Sequence, residues 1–511
     1  MEEKFYITTP LYYVNSSPHI GHSYTNIACD TLARFKRAKL GKTNVWFLTG
    51  TDEHGQKIKK AADAKNLSPQ DFTDEIVPLF KELWQKLGIS YDDFIRTTEA
   101  RHKNTVAKAL TILKEKGDIF MAQYEGWYCV PCESFWTQTQ AGSAICPDCQ
   151  RPIEKITESN YFFSLSKYQG WLIDYIEAHP DFIRPLIRRN EVLSFLKLNS
   201  LTDLCISRPK ERLNWGIAFP FSSEHVVYVW FDALLNYISA VGEFNKDGVF
   251  QSRWWPADLH IIGKDILRQH AVYWPIMLKA LDIPMPSCVF AHGWWMLGEN
   301  KMSKSRGNVV NPLEMVEKYG IDAYRYFLLR DVPFGMDGNF SEDALIKRFN
   351  SDLANDLGNL VYRSLTMTEK YFASVVPNID IFVRKFDEAG ESIKNKIKSL
   401  PQDVEKFLTP AEDFNFGASL EETWKLIAMA NKYVEETKPW NLSKEGKLEE
   451  LSAFIRLLIE VVRAVSKELL PFMPVTASAI IEQAGQDIIK KGSPLFPRLE
   501  IPGATPKKNA R

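Results

Sequence analysis

Two separate segments of the chain carry residue types that suit the binding of phosphate groups. Residues 19–22 read His-Ile-Gly-His and follow a loop that contains Pro18. Apolar residues then recur with helical spacing, so we expect His19 and His22 at the start of a helix. A helix N-terminus presents N–H groups and a positive dipole end to an anion. Gly21 permits close approach of a ligand, and both imidazoles can donate hydrogen bonds to phosphate oxygens.

The second segment, residues 301–308, reads Lys-Met-Ser-Lys-Ser-Arg-Gly-Asn. Lys301 and Lys304, with Gly298 before them and Gly307 after, are typical of a mobile loop that folds over a triphosphate. A charge run on its own is usually a solvated loop. The presence of both segments, in this order, favours a nucleotide site instead.

Four of the seven cysteines form two Cys-x-x-Cys pairs, Cys129 with Cys132 and Cys146 with Cys149. Separated by residues 133–145, the pairs have the spacing of a tetrahedral four-thiolate zinc site. Four protein ligands leave no open coordination position, so we expect one structural zinc ion. A redox dithiol is the alternative interpretation of each pair.

The elements that position these residues begin with an α/β pattern. Residues 4–8 predict a strand, a helix follows from residue 20 to near Gly41, and residues 45–48 predict a second strand. Strand, helix and strand in this order indicate a parallel sheet. The apolar runs 226–230 and 260–263 predict two further central strands.

Helical periodicity dominates from about residue 340, over residues 353–372, 423–436 and 452–470, with breaks expected at Pro401, Pro439 and Pro471. The predicted fold class is therefore α/β: a Rossmann-like parallel-sheet catalytic domain with an inserted zinc-binding connective domain, followed by an α-helical bundle. The predicted boundaries are 1–114 and 226–290 for the two halves of the catalytic domain, 115–225 for the insertion, 291–345 for the lysine-rich loop region, 346–496 for the bundle and 497–511 for a tail.

Composition and charge exclude several classes of protein. The chain has 511 residues, 45% of them hydrophobic, and its 63 basic and 64 acidic side chains give a net charge of -1. These values are typical of a globular protein and exclude disorder and a globally basic nucleic-acid binder. The first four residues, Met-Glu-Glu-Lys, lack the basic start of a signal peptide, and the odd cysteine count favours a reducing compartment. We expect the cytoplasm.

The His-Ile-Gly-His and Lys-Met-Ser-Lys-Ser segments resemble the signature pair of class I aminoacyl-tRNA synthetases, and both match without departure. The finer resemblance is to the methionyl-tRNA synthetase family. It rests on five segments: Pro-Leu-Tyr-Tyr-Val-Asn at 10–15, Gly-Thr-Asp-Glu-His-Gly at 50–55, Tyr-Val-Trp-Phe-Asp-Ala at 228–233, Ile-Ile-Gly-Lys-Asp at 261–265 and Ala-His-Gly at 291–293. It runs through the helical region to about residue 490.

The resemblance implies an ATP-dependent ligase. Methionine and ATP would give methionyl-adenylate and pyrophosphate, and the methionyl group would then move to the 3′ end of tRNA(Met), including the initiator. His19, Gly21 and His22 would bind ATP, while Lys301 and Lys304 would neutralise the charge that grows on departing pyrophosphate, together with Mg²⁺.

The resemblance also assigns a methionine pocket, formed by Leu11, Tyr13, Asp52, Trp230, Ala233, Tyr237 and His292. These residue types agree with the ligand, because a thioether prefers aromatic walls and a carboxylate such as Asp52 pairs with an ammonium group. The chain departs from some relatives at Ala291, where they carry phenylalanine.

In the helical region, Asn359 and Arg363 are four residues apart and share one helix face. Trp440 follows Pro439 at a helix end. An Asn/Arg pair for base edges and an indole for stacking suit single-stranded RNA recognition, whereas the residues by themselves fit an ordinary helix surface better. The resemblance assigns these three residues to the CAU anticodon.

Three alternative functions fit the sequence less well. A class I enzyme for isoleucine, valine or leucine usually carries a large editing domain, for which 511 residues leave no room. A cysteinyl enzyme would place more than Cys29 near the first motif. A zinc-containing tRNA-binding protein without activity would be expected to lose His19, His22 or the two lysines. Because the chain ends soon after the helical bundle, we expect a monomer.

Overall fold

A computed structural model describes residues 3–130, 134–136, 144–147, 150–297, 300–301 and 310–500. The chain forms two compact units, Met1–His292 and Gly293–Arg511.

The first unit contains a seven-stranded sheet whose strands are all parallel, in the order β2-β3-β1-β14-β15-β8, with β4 also paired to β3. The described strands of this unit are β1 Phe5–Thr8, β2 Tyr12–Tyr13, β3 Val45–Asp52, β4 Asp93–Arg96, β5 Ile119–Cys129, β6 Ser134–Trp136, β7 Glu154–Phe163, β8 Ile183–Arg184, β9 Leu204–Cys205, β10 Ser207–Pro209, β11 His225–Val227, β12 Gly242–Phe244, β13 Phe250–Ser252, β14 Leu259–Gly263 and β15 Val289–His292.

The described helices of the first unit cover the sheet and link its strands. They are α1 Ile20–Leu40, α2 Gln56–Asp63, α3 Pro69–Lys86, α4 Ala100–Glu115, α5 Gln169–Ala178, α6 Leu186–Leu198, α7 Val229–Leu234, α8 Asn236–Ser239 and α9 Trp274–Ala280, with short 3-10 turns at Lys42–Asn44, Ser166–Tyr168 and Lys264–Ile266 and a π-helical turn at Gln269–Tyr273. The central strands β1, β14 and β15 are buried along their whole length, which is typical of a parallel sheet covered on both faces.

The structure confirms the predicted parallel sheet and the central strand near residues 260–263, but the predicted strand at 226–230 is wrong. β11 pairs antiparallel with β10 in a separate ribbon, and the chain turns helical at Val229. A short apolar run fits a buried helix as well as a buried strand, so periodicity alone could not separate them.

A second, antiparallel sheet lies between the halves of the parallel sheet in sequence. Its order is β6-β5-β7-β9. The stretch is not self-contained, because its strand β8 pairs with β15 and forms an edge of the parallel sheet. At one end of the antiparallel sheet, Cys129, Trp136, Cys146 and Ile153 form a small buried cluster.

The second unit is mainly helical in its described part, with a small sheet of strands β16 Trp295–Leu297, β17 Asn300–Lys301 and β18 Gly338–Asn339. Its helices are α10 Pro312–Tyr319, α11 Ile321–Arg330, α12 Glu342–Arg348, α13 Asn359–Phe372, α14 Glu388–Lys406, α15 Phe416–Thr437, α16 Pro439–Lys444, α17 Leu448–Leu469 and α18 Pro474–Ala484, with a π-helical segment at Phe349–Gly358 and a 3-10 turn at Pro410–Glu412.

The expected helix break at Pro401 is wrong, since α14 continues through it to Lys406. An interior proline costs a helix about 3 kcal/mol because it removes an N–H donor and clashes with the preceding turn. Ile393, Leu400 and Val404 are buried on one face of α14, and this packing offsets the cost. Pro439 instead is the first residue of α16. At this position a backbone N–H would have no hydrogen-bond partner within the helix, so proline costs nothing there.

None of the helices in the described ranges is both long and apolar enough to cross a membrane.

Candidate active site

Parallel strands carry four of the predicted methionine-pocket residues to one edge of the sheet. Leu11 follows β1, Tyr13 lies in β2, Asp52 ends β3 and His292 ends β15. Tyr13 and Asp52 are direct partners across the β2–β3 pair. Because the carboxyl ends of parallel strands form the usual ligand crevice of an open α/β sheet, this edge is the candidate site.

The predicted helix start at residue 19 is confirmed. His19 is the N-cap of α1, and the first turn of this 21-residue helix contains no acidic side chain that would repel an anion. The Gly21 N–H donates to His19 Nδ1 at 3.1 Å, and the His19 N–H donates to His22 Nδ1 at 3.0 Å. The two imidazole rings stack with centroids 3.9 Å apart.

These two backbone bonds determine the tautomers of both histidines. A backbone N–H can only donate, so each Nδ1 is an acceptor without a proton. The proton of each neutral ring is therefore on Nε2. Both half-buried rings thus carry an Nε2–H donor at a helix N-terminus, which is the arrangement that binds phosphate oxygens.

Replacing Gly21 with alanine should lower the rate of adenylate formation while leaving the fold as stable or more stable. The added Cβ would lie 3.0 Å from Cε1 and 3.2 Å from Nδ1 of His19, so the ring must shift. Misplacing a group of this kind costs about 10- to 100-fold in rate. Alanine is the better helix former by about 1 kcal/mol, so the free energy of unfolding should not fall.

Gly170→Ala is the matched control, because Gly170 is also the second residue of a helix and its added Cβ would contact nothing. Adenylation kinetics and urea unfolding of both variants decide the outcome. Unchanged adenylation in the Gly21 variant would show that the His19 ring does not need its present position.

The other predicted pocket residues lie on two short helices that follow β11. Trp230 and Ala233 are on α7 and Tyr237 is on α8. Trp230 is half-buried, whereas Ala233 and Tyr237 are buried. Burial raises the pKa of Tyr237, so this side chain is a neutral phenol.

Tyr237 is held by His270, a residue to which the sequence assigned no role. His270 Nδ1 lies 2.9 Å from the Ile266 carbonyl, which can only accept, so Nδ1 carries the proton. Burial lowers the pKa of His270 to about 4, so the ring is neutral at pH 7. Its Nε2 therefore accepts from the Tyr237 hydroxyl at 2.7 Å.

We expect the free energy of unfolding to fall as the pH drops from about 6.5 to about 4. In the unfolded chain, His270 has the ordinary His pKa of 6.5 and binds a proton below that pH. In the folded protein, His270 stays neutral down to about pH 4. Between these two pH values the unfolded state binds more protons, so acid favours unfolding. The full shift corresponds to about 3 kcal/mol for this group. His260, also buried with a lowered pKa, adds in the same direction.

Urea unfolding at several pH values checks this expectation. His270→Gln should flatten the pH dependence, whereas replacement of the exposed His179 should leave it unchanged. An equally steep pH dependence in the His270 variant would contradict the assignment.

His292 joins the sheet edge to α1. Its Nε2 lies 2.8 Å from Thr25 Oγ1, and its ring meets the edge of Tyr24 with centroids 5.1 Å apart. His292 is buried and is the register partner of Gly263 at the end of β14. The helix that carries the two motif histidines is therefore fixed against the predicted methionine pocket.

Two buried acids at this edge were quoted within sequence motifs but were given no role there. Glu53 is fully buried and accepts hydrogen bonds from Nε and from a terminal nitrogen of Arg96, at 2.7 and 2.9 Å. This ion pair connects the end of β3 to β4. Asp232 accepts from His54 and His102. The Gly-Thr-Asp-Glu-His-Gly segment signalled two of these residues, but His102 has no sequence signal.

In the second unit, Lys301 forms β17 with Asn300. Lys304 lies outside the described residues, as do Gly298 and Gly307. The predicted role of this segment in binding phosphates therefore stays a prediction.

Two of the four predicted zinc ligands, Cys129 and Cys146, are fully buried in the same small cluster. The Cys146 carbonyl accepts the Gln150 N–H at 2.9 Å, and Gln150 has a φ of 58°. Cys132 and Cys149 lie outside the described residues. Two buried thiols in one small cluster fit a thiolate metal site.

The predicted anticodon residues lie on adjoining parts of the second unit. Asn359 is exposed at the start of α13, and Arg363 on the same helix donates to Glu435 near the end of α15 at 2.6 Å. Trp440 is 38% exposed in the first turn of α16. Since Glu435 is 64% exposed, its ion pair with Arg363 is worth at most about 1 kcal/mol and can yield to a ligand.

The chain is similar to known proteins in profile, sequence and structure. A profile of the family described as "tRNA synthetases class I (M)" matches residues 5–157 and 150–365. A methionine–tRNA ligase of Caldanaerobacter subterraneus is 49% identical over 520 residues, covering 98% of this chain and 80% of that protein. One of Clostridium acetobutylicum is 46% identical over 523 residues, covering 98% of this chain and 79% of that protein.

The fold has a close counterpart among solved structures. The structure of Mycobacterium tuberculosis methionyl-tRNA synthetase in complex with methionyl-adenylate matches with a TM-score of 0.91 at 38% identity. The match covers 97% of this chain and all of that one. The profile spans residues 5–365, and the sequence and structure matches extend over nearly the whole length. The chain therefore belongs to the methionyl group of the class I tRNA synthetases.

Proposed function

We propose that the protein is a methionine–tRNA ligase that uses ATP to activate methionine and then transfers the methionyl group to tRNA(Met), including the initiator. The observation that carries this proposal is the position of His19 and His22 at the N-terminus of α1, beside the sheet edge that holds Tyr13, Asp52 and His292. A phosphate site next to a pocket with a carboxylate and aromatic walls suits the joining of an amino acid to a nucleotide.

The first step is an in-line attack of the methionine carboxylate on the α-phosphorus of ATP, which releases pyrophosphate. No proton transfer is needed, so catalysis consists of positioning and charge neutralisation. His19 and His22 donate to phosphate oxygens, and the Gly21 backbone lets the nucleotide approach. Lys301 and Lys304, with the Mg²⁺ that accompanies ATP, neutralise the charge that develops on the leaving pyrophosphate.

Methionine selection follows from the residue types at the edge of the sheet. Asp52 pairs with the substrate ammonium, and Leu11, Tyr13 and Trp230 line the apolar part of the pocket. Sulfur–aromatic contacts contribute about 0.3–1.5 kcal/mol each. The fully buried Ala291 precedes His292 in β15, and its small side chain replaces the phenylalanine of some relatives.

A single Zn²⁺, held by Cys129, Cys132, Cys146 and Cys149, would supply folding energy rather than chemistry. Its support is the shared burial of Cys129 and Cys146 and the spacing of the two pairs. We place the protein in the cytoplasm, where reduced thiols persist.

ATP–pyrophosphate exchange tests the activation step. We expect exchange that depends on methionine and is much weaker with leucine, isoleucine, valine or cysteine. If another amino acid supports faster exchange than methionine, that amino acid is the substrate. If no amino acid supports exchange, the result favours a tRNA-binding protein without activity.

Trp440→Ala should weaken tRNA charging while ATP–pyrophosphate exchange stays near that of the wild type. An exposed indole can stack on an unpaired base, which is worth about 1–3 kcal/mol, or roughly 5- to 150-fold in affinity. Phe382→Ala is the matched control, because Phe382 is another exposed aromatic residue of the same unit, at 45% exposure. A parallel loss of exchange would make Trp440 a folding residue, and no loss of charging would remove it from the anticodon site.

A further inference from the structure

A buried carboxylate, Asp232, joins three elements of the first unit at one point. The His54 Nδ1–H donates to its Oδ2 at 2.7 Å, and the His102 Nε2–H donates to its Oδ1 at 2.6 Å. Asp232 and His102 are fully buried, and His54 is 2% exposed. His54 lies just after β3, His102 lies on α4, and Asp232 lies on α7.

The carboxylate form of Asp232 is maintained in this site. Burial alone would raise the pKa of Asp232, but the His54 charge and the hydrogen bonds from His102 and His54 outweigh it and leave that pKa below its ordinary value. Both oxygens therefore act as acceptors at neutral pH. A second contact, between His102 Nδ1 and Ser239 Oγ at 2.8 Å, holds the His102 ring between α7 and α8.

Two arms of this cluster, His54 and Asp232, lie close in sequence to residues proposed to bind methionine. Asp52 is two residues before His54 in the same segment, and the Tyr13 hydroxyl donates to the His54 carbonyl at 2.8 Å. On α7, Asp232 lies two residues after Trp230 and directly before Ala233. A shift of His54 relative to α7 would therefore move the ammonium partner and the apolar walls apart.

We propose that Asp232 is a positioning residue for the amino-acid substrate: through His54 it keeps Asp52 and Tyr13 in register with Trp230 and so determines the affinity for methionine. Asp232 itself is fully buried and touches no substrate. This inference rests on the proposed function and goes beyond it by naming the group that assembles the pocket.

Asp232→Asn is the first test. An asparagine amide accepts on one side and donates on the other, so it cannot accept from both imidazole N–H groups. We expect the KM for methionine in ATP–pyrophosphate exchange to rise about 10- to 100-fold, as for a displaced positioning group, with little change in the KM for ATP.

Asp258→Asn is the matched control for loss of a partly buried carboxylate. Asp258 accepts the Tyr6 N–H at 2.7 Å at the amino end of the sheet, away from the edge that carries Asp52. We expect this variant to keep both KM values near those of the wild type. Urea unfolding of both variants separates a general loss of stability from a selective loss of methionine affinity.

Two substitutions of His54 keep the test decisive if Asp232→Asn does not fold. Asparagine at position 54 can place its amide N–H near the former Nδ1 and donate to Asp232, whereas leucine cannot. We therefore expect His54→Asn to bind methionine much more tightly than His54→Leu. Equal methionine KM values in these two variants would contradict the inference.

Failure of this inference and failure of the proposed function give different results. A methionine KM unchanged in Asp232→Asn, or methionine and ATP KM values that rise together as stability falls, would overturn the positioning role and leave the proposed function intact. A wild-type protein without methionine-dependent exchange would overturn the proposed function and this inference with it.

Discussion

Lys304→Ala is expected to slow adenylate formation by about 100- to 1000-fold, or about 2.7–4 kcal/mol, while the dissociation constant for methionine stays near that of the wild type. The positive charge of Lys304 matters most when negative charge develops on the departing pyrophosphate. An interaction that strengthens only in the transition state changes the rate and not ground-state binding. Pre-steady-state adenylate formation and direct methionine binding measure the two quantities separately.

Lys318→Ala is the matched control, because Lys318 is an exposed lysine on α10 of the same unit. It should leave both quantities unchanged. A large rise in the methionine dissociation constant of the Lys304 variant, at an unchanged adenylation rate, would assign this lysine to substrate binding instead.

Cys146→Ala is expected to release the zinc ion and to unfold the end of the antiparallel sheet. Structural zinc sites in small peptides contribute about 10–16 kcal/mol of apparent binding free energy, as much as the whole stability of many domains. Three remaining thiolates bind zinc much more weakly. The variant should therefore lose its zinc in metal analysis and become sensitive to proteolysis in the segment that contains Cys129.

Cys205→Ala is the matched control for the loss of a buried thiol, since Cys205 is buried in β9 and belongs to neither Cys-x-x-Cys pair. It should retain one zinc ion per chain. A Cys146 variant that kept one zinc per chain and full charging activity would contradict the four-thiolate assignment.

Much of the framework could be predicted from local patterns. The helix start at His19 was predictable because a loop with proline precedes helical spacing, and the parallel sheet was predictable because strand and helix alternate. The same patterns gave a wrong prediction at residues 226–230, where the apolar run begins as one strand of a two-stranded ribbon and continues as a helix. At Pro401, tertiary packing of one helix face outweighs the local preference for a break.

The residues that position the site were mostly beyond sequence reasoning, because their partners are far apart in the chain. Asp232 and His102 are separated by 130 positions, and Tyr237 and His270 by 33. No short-range spacing signals such pairs. A motif that is interpreted by its ligand contacts gives no role to its buried members, such as Glu53, which binds Arg96, and His54, which binds Asp232.

Charging of a tRNA transcript with a CAU anticodon by the purified protein tests the proposed methionine–tRNA ligase activity most directly. The transcript is offered with each of the amino acids methionine, leucine, isoleucine, valine and cysteine. We expect methionine alone to be attached efficiently, and a changed anticodon to lower charging without affecting methionine-dependent ATP–pyrophosphate exchange. Failure to attach methionine to this tRNA, or equal charging with another of these amino acids, would contradict the proposed activity.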